Sequence, residues 1–158
     1  MNLNSFIPII GTIVTISRVP NDCCSQMISI SANRQQSNFI ISSHTFVADS
    51  TRLRVGMRIA AFYDSSRPIP LIFPPQYQAE LICILMPNES IMLNFFNRNL
   101  TSADQSLTLH IGSRTTVTTQ NGQIFACSPG GNTLLVYYSA TTRSIPPQTT
   151  PRKIIVMC

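Results

Sequence analysis

The chain has 158 residues, 44% of them hydrophobic and only 11% charged, which excludes a large multidomain enzyme and also a disordered chain, since disorder needs low hydrophobicity and high net charge. A surface clothed mainly in Ser, Thr, Asn and Gln carries few like charges to hold copies apart, so self-association meets little opposition. The formal net charge of +5 would suit phosphate binding through counterion release, but the arginines are scattered singly apart from Arg52, Arg54 and Arg58, and Lys153 is the only lysine; no nucleic-acid partner is expected from that distribution.

Period-two patterning runs along the chain. The apolar stretch 6–16 has the composition of a signal h-region, yet residues 1–5 hold no Lys or Arg and no small-residue cleavage pattern follows. A first strand over 9–16 is therefore expected there, and no secretory signal. No run approaches the roughly 18 apolar residues of a membrane span. After the turn Pro20-Asn21-Asp22, residues 27–32 alternate Ile28, Ile30 and Ala32 with Ser29 and Ser31. Residues 38–48, 57–63 and 81–86 complete five strands in the first half, rich in β-branched and aromatic side chains and bounded by turn formers. Strands are expected over 90–96, 107–111, 115–119, 133–138 and 153–157 in the second half, which lacks one strand by comparison. No capped amphipathic stretch reaches helical length, a turn around 100–105 being the nearest approach. The class is all-β.

A degenerate repeat organises these strands. Ile41-Ser42-Ser43-His44-Thr45-Phe46-Val47 matches Ile111-Gly112-Ser113-Arg114-Thr115-Thr116-Val117; Ala61-Phe62-Tyr63 matches Val136-Tyr137-Tyr138, and Pro74-Pro75-Gln76 matches Pro146-Pro147-Gln148. Each half ends in an aromatic strand, a polar connection holding Arg67 or Arg143, a Pro-Pro-Gln arm and a final apolar strand. Proline donates no ladder hydrogen bond, so the arms are expected to lie outside the sheets. Five short strands with a glycine near the first and a Val-Gly turn before the fourth suit a small OB-like barrel. Two tandem OB-like modules of barrel or sandwich type are expected, 1–86 and 87–158, tightly packed, the second truncated, with Pro87-Asn88-Glu89 as the junction.

Catalytic equipment is scarce. The six carboxylates, Asp22, Asp49, Asp64, Glu80, Glu89 and Asp104, sit mostly alone in turns or at strand ends; Asp49 and Asp64 could approach each other, but Asx turns account for them better than an acid/base pair. His44 aligns with Arg114 and is expected at a solvent-facing strand position, and His110 is expected to point outward between Leu109 and Ile111. No nucleophile elbow, P-loop, dinucleotide fingerprint or zinc motif is present, so neither catalytic residues nor cofactor or metal ligands are assigned, and no enzyme is expected. Phe62, Tyr63, Tyr137 and Tyr138 occupy matching places and suit packing, while Phe73, Tyr77, Phe95 and Phe96 are expected at edges or arms. Of the five cysteines, Cys83 lies in an apolar run and is expected to be buried. Cys23, Cys24, Cys127 and Cys158 fall at a turn, a Gly-rich turn and the last position; they are either free cytosolic thiols or candidates for disulfides between copies.

Val55-Gly56, Ala61-Phe62-Tyr63-Asp64, Pro74-Pro75-Gln76-Tyr77, Leu109-His110-Ile111-Gly112 and Arg143-Ser144-Ile145-Pro146-Pro147-Gln148-Thr149-Thr150-Pro151 together resemble the tandem β-modules of uncharacterised clostridial surface or spore-associated proteins, over nearly the whole chain. The resemblance implies a spore-layer or fibre component and carries no catalytic residues with it. Low surface charge, strand edges left bare by an incomplete second module, and exposed cysteines lead to the same expectation: a non-catalytic protein that polymerises head to tail with itself into a fibre or coat, at a spore surface or outside the cell. Without assembly, a cytoplasmic location is expected. The alternative is an OB-like module that binds single-stranded nucleic acid or carbohydrate.

Overall fold

The computed structural model of the chain describes residues 3–158. It divides into two compact units, Met1–Met86 and Pro87–Cys158. The first contains β1 (Phe6–Val19), β2 (Asp22–Ala32), β3 (Gln35–Ile41), β4 (Phe46–Val47), β5 (Arg58–Asp64), β6 (Gln76–Gln78) and β7 (Leu81–Ile84). The second contains β8 (Ser90–Phe96), β9 (Thr108–Leu109), β10 (Thr116–Thr119), β11 (Asn132–Tyr138), β12 (Gln148–Thr149) and β13 (Lys153–Val156). The only helical segments among the described residues are two single 3-10 turns, Leu3–Ser5 and Ala48–Ser50, so the protein is all-β.

In the first unit the sheet order is β4-β7-β5-β1-β2-β3-β6. The end strands β4 and β6 share no ladder, so a sheet closed into a five-stranded barrel is corrected to an open seven-stranded one. Two interruptions cause the extra strands. Residues 38–48 do not form one strand, because Ser42 and Thr45 supply local hydrogen bonds in place of ladder ones: Ser42 N donates to Thr45 Oγ1 at 3.0 Å and Thr45 N to Ser42 O at 3.1 Å. His44 therefore sits exposed in a turn, not on a strand. The other extra strand comes from the arm: Gln76–Gln78, expected outside the sheets, forms β6 parallel to β3, because proline lacks only the donor and Pro75 O still accepts from Asn38 N at 2.8 Å, and past Ala79 and Glu80 the chain runs on as β7, antiparallel to β5; Gln148 likewise enters β12 beside β9. The first strand runs longer than the hydropathy suggests, because Phe6–Thr12 pairs with β5 while Thr12–Val19 forms a bulged hairpin with β2. Gly11 is required there: an added Cβ would stand 2.5 Å from the backbone oxygen of Ser31.

The core of this unit gathers Ile13, Ile28, Ile30, Phe39, Ile59 and Ile82. Ile59 to Phe62 are all buried, as expected of a strand with both faces covered. Ser29 departs from simple alternation. It is buried, and its hydroxyl is satisfied by donating to Asn38 Oδ1 at 2.6 Å. Tyr77 stacks on Tyr63 with centroids 4.2 Å apart, and desolvation, with the neighbouring Tyr63 second, raises its pKa above the usual tyrosine value.

The second unit has a four-stranded sheet, β10-β13-β11-β8, and a separate parallel pair, β12-β9. Its core holds Leu107, Leu109, Leu134, Val136, Ile154 and, contrary to the edge position expected of it, Phe96. Phe96 turns inward because the strand continues past it into paired structure: Gly131 N donates to Phe96 O at 2.8 Å and Ser102 bridges it antiparallel. A short segment, Leu100 to Ala103, bridges between β8 and β9, where the first unit has the eleven-residue β2 between β1 and β3.

Hydrogen bonds recur at matching places in the two units. Asn38 N donates to Pro75 O at 2.8 Å and Thr108 N to Pro147 O at 2.9 Å; Glu80 N donates to Phe62 O at 2.8 Å and Arg152 N to Tyr137 O at 2.9 Å. Thr45 Oγ1 and Thr115 Oγ1 donate to Ala79 O and Pro151 O, both at 2.7 Å. Gly56 N and Gly131 N donate to Ile13 O and Phe96 O, both at 2.8 Å, with φ of +95° and +81°, a region that glycine enters without steric cost.

Candidate functional site

Two arms stand out, each joining an aromatic strand to the segment that follows it. In the first unit the arm leaves β5 at Asp64, whose Oδ1 accepts from Ser5 Oγ at 2.7 Å, Ser66 Oγ at 2.6 Å and Ser66 N at 3.0 Å. The Ser66 hydroxyl above all, then Ser5, holds this carboxyl below the usual aspartate value, with Arg67 adding a smaller pull. Arg67 reaches Asp64 at 3.5 Å and Glu80 at 3.8 Å. Pro68, Ile69 and Pro70 then lie against Tyr63, Gln76 and Gln78, leaving a cleft of only about 80 Å³. Beyond them the chain turns outward: Leu71 is fully exposed and Phe73 is 93% exposed, followed by a cis peptide bond to Pro74.

The second arm is shorter, with ten steps from Tyr138 to Gln148 against thirteen from Tyr63 to Gln76. It is pinned at its base. Thr142 N donates to Gln148 O at 2.8 Å, Gln148 N to Thr142 Oγ1 at 2.9 Å, and Thr149 Oγ1 to Ala140 O at 2.6 Å. Its tip, Ile145, is 99% exposed before a cis bond to Pro146. Beside this arm lies a cavity of about 670 Å³ bounded by His110, Arg114, Ala140, Thr142, Gln148 and Arg152, within the size range of small-ligand and peptide-anchor pockets. His110 Nε2 donates to Gln148 Oε1 at 2.6 Å. Arg152 forms a bidentate pair with the buried Glu89, at 2.8 and 2.9 Å. Gln148, Thr150 and Arg152 here stand where Gln76, Gln78 and Glu80 stand in the first unit, where Pro68–Pro70 share the lining of the smaller cleft.

None of the five cysteines is joined in a disulfide. Cys83 is buried, whereas Cys23, Cys24, Cys127 and Cys158 are exposed. Cys23 and Cys24 stand at the start of β2, just past the hairpin turn, with Cys24 N held by Asp22 Oδ1 at 3.1 Å; Cys158 follows β13. Asp49 sits in a 3-10 turn with φ of +61° and Asp64 at the base of the first arm, each engaged in local turn structure. Among the described residues no group of three His, Cys, Asp or Glu is placed to hold a metal ion, and no helix is long and apolar enough to cross a membrane.

The exposed apolar tip of the first arm escapes a reading by strands and motifs, although its signal is present in Pro68-Ile69-Pro70-Leu71-Ile72-Phe73-Pro74-Pro75. An apolar run barred by proline from the ladder has no sheet face on which to bury itself. Compared with known proteins, the chain matches no family model, no curated protein and no solved structure.

Proposed function

We propose that the chain is a non-catalytic structural protein that assembles with itself, head to tail, into a fibre or coat layer, in a setting like that of the clostridial spore and surface proteins it resembles. The observation that carries this function is the exposure of Leu71, Phe73 and Ile145 on the arm tips, the first of which is uncharged. Large side chains held in water on projecting arms are costly for a monomer and serve as anchors in an interface. Sheet edges add to it: the first sheet ends at β4 and β6, the second at β8 and β10, which carry only short bridges to Ser102 and Ile124, and the one lysine lies on the internal strand β13, so no lysine guards an edge. Exposed Cys23, Cys24, Cys127 and Cys158 offer covalent locking between copies, two thiols forming one disulfide as two electrons and two protons pass to molecular oxygen.

We also propose that each unit is an OB-like module, the second truncated. What supports it is continuity through the break in residues 76–84: Ala79 N donates to Ile40 O at 2.9 Å and Glu80 N to Phe62 O at 2.8 Å, so one segment passes from the ladder with β3 to the ladder with β5. The matching hydrogen bonds of the second unit, with a short bridging segment in the place of β2, support a shortened copy. On this topology the arm corresponds to a loop that OB folds use for ligands, and the cavity beside the second arm favours, as a second reading, a module that binds carbohydrate or nucleic acid.

Sedimentation velocity across a hundredfold range of concentration, with and without reductant, tests self-assembly, and electron microscopy shows its form. Growth of large species with concentration is expected, with electrophoretic ladders only in the absence of reductant. A monomer at every concentration overturns the proposal, and a salt-dependent shift with an oligonucleotide would transfer it to the binding reading.

A further inference from the structure

We propose that the cavity of the second unit is the receptor for the first arm of another copy, with Leu71 and Phe73 as the anchors. The inference rests on the self-assembly proposed above and names its contact. The molecule supplies the precedent. At the matching position in the first unit, Pro68, Ile69 and Pro70 of the arm border a cleft with Gln76, Gln78 and Glu80 in which only about 80 Å³ is left. In the second unit the arm is three residues shorter and the floor of Gln148, Thr150 and Arg152 lies open in a cavity of about 670 Å³. The floor thus accepts a proline-flanked apolar segment in one unit and lacks one in the other. The outer part of the first arm, residues 71–75, has that composition, and it presents two large exposed side chains, Leu71 and Phe73.

Charge agrees with that occupant. Residues 68–75 carry no charge, and no carboxylate borders the cavity. Arg152 is already paired with Glu89, so a neutral segment leaves no ion pair to be broken, while Arg114 stays at the exposed rim. A cationic segment would meet Arg114 and Arg152 together. An arm on one unit and its receptor on the other form a heterologous contact, which generates an open chain of copies wherever its rotation does not close into a ring.

Complementary variants of the full chain, kept reduced, test this by sedimentation velocity. Leu71→Ser with Phe73→Ser disables the arm and leaves the cavity intact; Ala140→Trp fills the cavity and leaves the arm intact, with Thr141→Trp as a second filling variant and circular dichroism to verify folding of each. Each variant alone is expected to associate at least tenfold more weakly than the natural chain. An equimolar mixture of arm-disabled and cavity-filled chains retains one working arm and one working cavity, and is expected to form a one-to-one dimer and nothing larger. A mixture that stays monomeric overturns the assignment, as does a filled-cavity variant that assembles like the natural chain. If the natural chain is itself monomeric, self-assembly fails as a whole; if it assembles and both variants assemble equally well, only this contact fails.

Discussion

Removing the cation from the buried pair of the second unit tests the electrostatics most sharply, because the first unit contains its own control. Glu89 is 2% exposed and takes both its oxygens to Arg152, with Nε at 2.8 Å and Nη2 at 2.9 Å, while the guanidinium also lies 5.1 Å from the centre of the Tyr137 ring. Breaking such a pair from one side costs about 3–5 kcal/mol, because the partner is left as an uncompensated buried charge. Arg152→Met takes the guanidinium from Glu89, which is only 2% exposed, and is expected to cost about 3 kcal/mol or more. Glu89→Gln strands the guanidinium, which is already 38% exposed and can turn toward solvent, so about 2 kcal/mol is expected. Converting both partners to apolar residues, Glu89→Leu with Arg152→Met, should recover a large part of either loss. The control is Arg67, which is 70% exposed and meets Glu80 at 3.8 Å; Arg67→Met should cost less than about 1 kcal/mol. Urea denaturation followed by far-ultraviolet circular dichroism measures all four changes, which divide between the transitions of the two units. Equal losses for Arg152→Met and Arg67→Met would refute the reasoning, since burial would then make no difference to the pair.

Three further outcomes are expected. Gly11→Ala should destabilise the first unit by about 1–3 kcal/mol through overpacking, because the new methyl meets the Ser31 carbonyl at 2.5 Å; an unchanged urea midpoint would mean that β1 and β2 part without cost. The carboxyl of Asp104 is held below its usual value mainly by the Ser106 hydroxyl and then by Ser102, so its contribution is complete above the unfolded pKa of about 3.9 and is lost as pH falls through the lower folded value. Asp104→Asn should accordingly narrow the stability difference between pH 7 and pH 2.5, and a variant with an unaltered acid limb would contradict this. Under native conditions, reaction with a chromogenic disulfide should modify the four exposed thiols at once and Cys83 only on unfolding; fast reaction of all five would show that the β5–β7 layer opens readily.

The share of the structure legible in the chain follows from which signals are local. Alternating Ile and Ser in residues 27–32, β-branched runs between turn formers, and an apolar run around Cys83 each report a strand through the side chains of that segment alone, and the structure has strands there. Breaks in strands were harder to read. His44 lies in a sequence whose composition suits a strand, and it is the hydrogen bonds of Ser42 and Thr45 that end β3 before it. Phe96 reads as an edge residue until Gly131 and Ser102 pair beside it and turn the ring into the core.

The amino-acid order by itself determined that the protein is built of strands and that little charge protects its surface. These are properties of single segments, fixed by rotamer preference and composition. Tertiary structure alone decided which ladder each strand joins, that residues 76–84 divide between β3 and β5, that Glu89 and Arg152 meet in the interior, and that a difference of three residues in arm length fills one site and leaves its counterpart open. The physical reason is that pairing, burial and cavities depend on residues far apart in the chain, and their geometry exists only once the backbone has brought them together.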